Sequence, residues 1–188
     1  FASGTNVQRL AKGSGRADGI IYTAYSQLEQ SEDSIVKRKF YMLEVDSLKK
    51  DVEALDEKVQ PSWTKIWGKP NGNKAFITKL FLSLTGEEPL RQEINLSNLT
   101  GESIDCFMML VSANKREMRQ IKEIAERAVP NYHIKVLNGD YTSNKQAQYE
   151  TIKEINEARI SGKDGVIIIA NQMGSRSYSI PEIQATVI

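Results

Sequence analysis

Val166-Ile167-Ile168-Ile169-Ala170 is a continuous apolar run, and it leads directly into Asn171-Gln172-Met173-Gly174-Ser175-Arg176-Ser177-Tyr178-Ser179. An unbroken β-branched run of this kind predicts a strand buried on both faces of a parallel sheet. The loop that follows is small and polar, with one glycine and one arginine. A second short apolar strand is predicted from Ala185 to Ile188. In open α/β sheets, ligands sit at the carboxyl ends of strands. A loop of amide and hydroxyl groups with one cation, leaving a buried strand, is therefore a candidate ligand surface.

Working back along the chain, the second half keeps the same grammar. Cys106 to Val111 predicts a buried strand, and Ser112-Ala113-Asn114 a turn with helix-capping chemistry. Lys115 to Ala128 predicts an amphipathic helix with Met118, Ile121, Ala125 and Ala128 on one face, broken by Pro130-Asn131. Tyr132 to Leu137 predicts a strand ending in the turn Asn138-Gly139-Asp140. Ser143 to Arg159 predicts a helix with Ala147, Ile152 and Ile155 as core candidates, closed by Ser161-Gly162. Strands alternating with helices long enough for right-handed crossovers specify a parallel sheet flanked by helices.

The first half is less regular. Residues 1–18 read as glycine-rich loop and 19–25 as a strand. Leu43, Leu48, Val52, Leu55 and Val59 recur at roughly helical spacing within 31–59, and Pro61 ends that pattern. Gly68-Lys69-Pro70-Asn71-Gly72-Asn73 is a turn cluster. Residues 74–84 predict a short apolar helix, and 89–103 read as irregular. The chain opens at Phe1 and stops at Ile188 inside an expected strand, which is read as a fragment of a longer polypeptide.

The bulk numbers exclude more than they assign. With 25 basic and 24 acidic side chains among 188 residues, the formal net charge is +1, so nothing draws the whole chain toward nucleic acid or membrane. Any such partner needs a local patch. One cysteine, Cys106, rules out an internal disulfide framework and fits a reducing, cytoplasmic compartment. One histidine and one cysteine argue against a zinc site. No apolar stretch approaches the roughly 20 residues needed to span a bilayer, so no membrane partner is expected.

No catalytic residue stands out. The chain has neither Gly-x-x-x-x-Gly-Lys-Ser/Thr nor Gly-x-Gly-x-x-Gly after a strand, which removes a P-loop of its own and a dinucleotide fingerprint. A lone His133 in an expected strand is read as structural. Lys115, Arg116, Arg119 and Lys122 open a helix and could face phosphates. Because Glu117, Glu123 and Glu126 interleave with them, a solvated face explains them as well. Trp63 and Trp67 could stack on bases, but packing of an appended helix is the favoured use.

Taken in order, these pieces resemble the second RecA-like domain of superfamily 2 helicases and translocases. In that family the motif IV strand leaves through a small polar turn, a later strand ends in a His-Gly-Asp-like turn, and motif V runs from an apolar strand through Ala-Thr to Arg-Gly-x-Asp-Ile-Pro. Here Ala170-Asn171 stands where Ala-Thr would be, Asn138-Gly139-Asp140 where His-Gly-Asp would be, and Arg176-Ser177-Tyr178-Ser179-Ile180-Pro181 where Arg-Gly-x-Asp-Ile-Pro would be. Ser177 and Ser179 depart from the motif's Gly and Asp. Phe1-Ala2-Ser3-Gly4-Thr5 looks like motif III, which closes the first motor domain. The resemblance covers residues 105–188 and, at the other end, 1–5.

The resemblance divides the chain into the end of a preceding motor domain with its linker (1–25), a mainly helical insertion (26–104) and a truncated RecA-like domain (105–188). It implies a parent that uses ATP and Mg2+ to move along a DNA or RNA single strand, paired with the first RecA-like domain of the same polypeptide. Ser112, Asn114, Gly139, Asn171, Gln172, Gly174 and Ser175 would contact the nucleic-acid backbone. Such groups suit phosphate oxygens without reading bases. Ser3, Gly4, Thr5, Arg176 and Ser179 would line the nucleotide cleft or couple it to the strand. The arginine fingers of motif VI lie outside the chain, so the chain alone is expected to be inactive and to bind no cofactor by itself. The rival reading is a catalytically silent α/β binding or interaction module.

Overall fold

The structure, a computed structural model, describes residues 48, 50–53, 65–88, 94–138, 143–171 and 180–188. All belong to one compact unit spanning Tyr41–Ile188. In chain order the elements are α1 (Lys74–Thr85), α2 (Leu96–Thr100), β1 (Cys106–Val111), α3 (Lys115–Ala128), β2 (Tyr132–Leu137), α4 (Asn144–Ile160), β3 (Gly165–Asn171) and β4 (Ala185–Val187). The strands form one parallel sheet in the order β2-β3-β1-β4. The chain is thus an α/β protein with a parallel sheet flanked by helices.

The apolar run that decides the fold becomes β3, with Gly165 through Ala170 all buried. It is an interior strand, paired with β1 on one side and β2 on the other. Those two ladders satisfy its backbone amides and carbonyls, which could not be left unpaired away from water. Alternate side chains then serve opposite layers. Ile167 and Ile169 join Phe107, Met109, Val111 and Ile134 in the core shared with α3 and α1. Val166, Ile168 and Ala170 join Cys106, Leu137, Ile155 and Ala158 in the core under α4.

Handedness explains why the helices lie on different faces. The step from β1 to β2 crosses β3 in one direction, and the steps from β2 to β3 and from β3 to β4 run the other way. Right-handed crossovers therefore send α3 to one face, and α4 and the connection into β4 to the other. Ile180 and Ile183, in that last connection, pack in the core under α4, as this requires.

The residues preceding the sheet share its core. Phe76, Ile77, Leu80, Phe81 and Leu84 of α1 are buried in the α3-side cluster, together with Leu48 and Val52 from a helical stretch and the partly buried Trp67. Trp67 is therefore used in packing, while Trp63 and the expected strand at 19–25 lie outside the described residues. The segment expected to be irregular, 89–103, contains α2. Both its ends were written in the sequence. Asn95 Oδ1 accepts from Ser97 N at 2.6 Å and Asn98 N at 3.3 Å, and Gly101 closes the helix at φ 71°, a left-handed conformation that favours glycine.

The amino edge of the sheet is held by polar contacts. Gln184 Oε1 accepts from Asp105 N at 2.8 Å and Cys106 N at 3.1 Å, which ties the approach to β4 to the start of β1. Arg159, in the last turn of α4, donates from Nε and a terminal nitrogen to the two Asp105 carboxylate oxygens, both at 3.1 Å. Gly165 sits where a Cβ would lie 2.5 Å from the Asp105 carbonyl oxygen and 2.7 Å from Cε1 of Tyr132. Backbone cannot retreat there without disturbing the Val166 N to Asp105 O hydrogen bond of 2.7 Å. Gly165→Ala is expected to destabilise the protein by about 1–3 kcal/mol, read as a lower urea midpoint with an unchanged slope.

Candidate functional site

The carboxyl edge of the sheet is built differently. Val111 pairs with Asn171, and Leu137 with Ala170, so β1, β3 and β2 end level with one another. Adjacent strands lie about 4.8 Å apart. The chain after Val111, the chain after Asn171 and the turn beginning at Asn138 therefore leave from neighbouring points on one edge. The chain leaving β1 enters α3 on one face, whereas Ile180 and Ile183, on the approach to β4, pack on the α4 face. Neighbouring strands whose connections diverge in this way open a crevice between their carboxyl ends, where ligands of open α/β sheets sit.

Two helix N-termini face the same edge, because α3 follows β1 and α4 follows β2. Asn114 caps α3. Its Oδ1 accepts from Arg116 N and Glu117 N, both at 3.0 Å, and its own N–H donates to Glu117 Oε2 at 2.8 Å. This reciprocal capping box uses the carboxamide oxygen that the sequence reading offered to a ligand. Asn114 therefore fixes the direction in which the α3 N-terminus points. Ser143 caps α4 by accepting from Gln146 N at 3.2 Å. Each terminus carries partial positive charge toward the edge.

Of the residues singled out in the sequence, Ser112 is exposed just past β1, Asn114 is exposed at the cap, and Asn171 is half-buried at the end of β3. Ser112 and Asn171 are brought together by the β1–β3 register. Gly139, Gln172, Gly174, Ser175, Arg176 and Ser179, along with Ser3, Gly4 and Thr5, lie outside the described residues. Sequence reasoning missed the turn at 65–73 as part of this edge. Gly68 approaches Glu117 of α3, whose Oε1 would lie 3.9 Å from a Cβ placed there. Asn73 holds the turn closed, donating from Nδ2 to the carbonyls of Lys65 at 3.3 Å and Ile66 at 3.1 Å. The Asn71-Gly72-Asn73 cluster signalled a turn, but nothing local signalled its neighbour.

The titratable groups elsewhere are structural. Cys106 is fully buried at the start of β1. Burial pushes its thiol up to about 12, against a smaller opposing pull from Arg159, so it is no nucleophile. His133 and Lys135 of β2 both face Glu154 of α4. His133 Nε2 lies 3.0 Å from Glu154 Oε2, and the Lys135 ammonium contacts Oε1 directly. Burial works to raise the Glu154 pKa, but the hydrogen bonds and charges of Lys135 and His133 together outweigh it and hold the carboxyl below its ordinary value.

Among the described residues no group of three or more His, Cys, Asp or Glu side chains is arranged to hold a metal ion. Those the resemblance assigns to a nucleotide cleft are not among the described ones. No helix among the described residues is long and apolar enough to cross a membrane. No family model, curated protein or solved structure matches the chain.

Two outcomes follow from this geometry. Asn114→Ala is expected to lower stability by about 1 kcal/mol in urea unfolding, through loss of the α3 cap. Glu154→Gln is expected to cost about 1–3 kcal/mol near neutral pH, because it removes the carboxylate charge that both Lys135 and His133 contact. A carboxyl with a depressed folded pKa stabilises above its unfolded value and loses that contribution as pH falls through the folded one. The gap between wild type and Glu154→Gln should therefore close as unfolding is measured at pH values falling below about 4.

Proposed function

We propose that the chain is the second motor half of a nucleic-acid helicase or translocase, and that it holds a single strand by its sugar–phosphate backbone at the carboxyl edge of the sheet. One observation carries this reading. The parallel register sets Val111 beside Asn171, so the Ser112–Asn114 turn and the loop after Asn171 start from the two strands that flank the crevice. These are the segments that resemble motifs IV and V. Hydroxyl, amide and backbone N–H donors, with two positive helix ends behind them, suit phosphate oxygens and are indifferent to base identity. A motor that advances along a strand needs that indifference.

In this reading Arg176 couples the strand-gripping loop to a nucleotide cleft, and Gly174 permits close backbone approach. ATP and Mg2+ bind between this half and a first RecA-like domain of the same polypeptide, which supplies the phosphate cradle this sequence lacks. The chain alone then grips a strand weakly and hydrolyses nothing.

The test is fluorescence anisotropy of a labelled single-stranded oligonucleotide titrated with the chain at several salt concentrations. Binding is expected to weaken steeply with salt. Asn171→Ala and Arg176→Ala should each weaken it about three- to tenfold, the effect of about 1 kcal/mol per lost contact. Failure to bind at 50 mM salt, or equal binding by both variants, would overturn the proposal and leave the interaction-module reading.

A further inference from the structure

The turn at 65–73 and the first two turns of α3 enclose a surface that neither the strand tips nor their loops account for. Two adjoining open concavities, each about 380 Å³, lie between them. One is lined by Asn71, Arg116, Arg119 and Gln120. The other extends along the 68–72 turn and so adds Lys69 to that rim. Lys69, Arg116 and Arg119 are exposed. Among the described residues none of the three forms an ion pair. The contrast with the rest of α3 is informative. Lys122, one turn further along, pairs with Glu126 at 3.6 Å.

Two carboxylates border the same surface, and their positions matter. Glu117 is turned back onto its own helix, accepting from Asn114 N at 2.8 Å, so its charge is spent on the positive end of α3. Glu123 lines the concavity farther from the sheet edge, which it shares with Arg116 and Arg119, and stands one turn beyond Arg119. The concavity nearest the sheet edge holds Lys69 and Arg116 with neutral amide groups, and its one carboxylate, Glu117, is engaged in the capping box. Cations from two different segments, set on a concave surface next to a helix N-terminus, match a polyanion with regularly spaced charges better than a single small anion.

From this we infer that the 68–72 turn and α3 form a second wall for the nucleic-acid strand, with Lys69, Arg116 and Arg119 contacting successive phosphates upstream or downstream of the crevice at Ser112 and Asn171. The occupant is a phosphodiester backbone, and the inference rests on the motor-half reading. The segment before the sheet, which matches no motif, thereby acquires a role: it lengthens the track over which the strand is held.

The experiment uses the whole chain and a fluorescein-labelled oligothymidylate, with anisotropy recorded from 50 to 300 mM salt. Three proteins are compared: wild type, the triple variant Lys69→Gln/Arg116→Gln/Arg119→Gln, and a control with the same charge loss, Lys122→Gln/Arg127→Gln/Lys153→Gln. All six positions are on the surface, and thermal unfolding checks that each protein folds. The wall variant is expected to bind about tenfold more weakly or worse. Its slope of log affinity against log salt should fall by about 2, because each phosphate contact on a single strand contributes about 0.7. The control should stay within about twofold of wild type. If wild type binds and loses affinity in Asn171→Ala while the wall variant binds like wild type, the second wall is wrong and the motor-half reading stands. Equal loss in the wall variant and the control would also overturn the wall, since bulk charge would then explain it. A wild-type chain that does not bind removes both readings.

Discussion

The fold depends on the double pairing of one strand. β3 is apolar on both faces, so neither face can turn to water, and its backbone polar groups must find partners on both edges. β1 and β2 supply those partners in parallel. Parallel neighbours cannot be joined by tight turns, so each connection must cross a face of the sheet. The helices, the two cores and the location of every loop follow from that requirement. Removing the alternation of Ile167 and Ile169 with Val166, Ile168 and Ala170 would take buried residues from both cores at once.

The two edges of the sheet are built differently. At the amino edge, polar groups are directed at one another: Asp105 with Arg159, Gln184 with the start of β1, and Gly165 pressed against a carbonyl. At the carboxyl edge, helix N-termini and strand tips are directed outward. The Asn114 capping box lies between these cases. It consumes a side chain that could have met a ligand, and in return it fixes the direction of the α3 N-terminus. The Glu154 cluster is wholly structural, with one carboxylate tying β2 to α4 through both Lys135 and His133.

Much of the second half was legible because its elements are punctuated. Cys106–Val111 and Tyr132–Leu137 form with the bounds the sequence predicts, since apolar strands there are bracketed by Asn, Gly and Pro. Helix α2 was passed over although Asn95 and Gly101 mark its ends, because its five residues are too few to display a helical period. In α4, Thr151 and Ala158 are buried and were not named as core residues. Thr151 is polar, and its hydroxyl is satisfied by donating to the Ala147 carbonyl at 2.7 Å, which hydropathy alone does not reveal.

The sequence by itself determined that the sheet is parallel, which strand is buried on both faces, and that polar residues follow the strands. These are local properties of pattern, length and turn chemistry. Only the tertiary structure decided which strand tips are neighbours. Strand order follows from which faces the helices cover and from crossover handedness, and no window of sequence carries that information. The placing of the 65–73 turn against α3 was decided in the same way. Lys69 and Arg116 are 47 positions apart along the chain, and they share a surface because α1 packs on α3 in the common core.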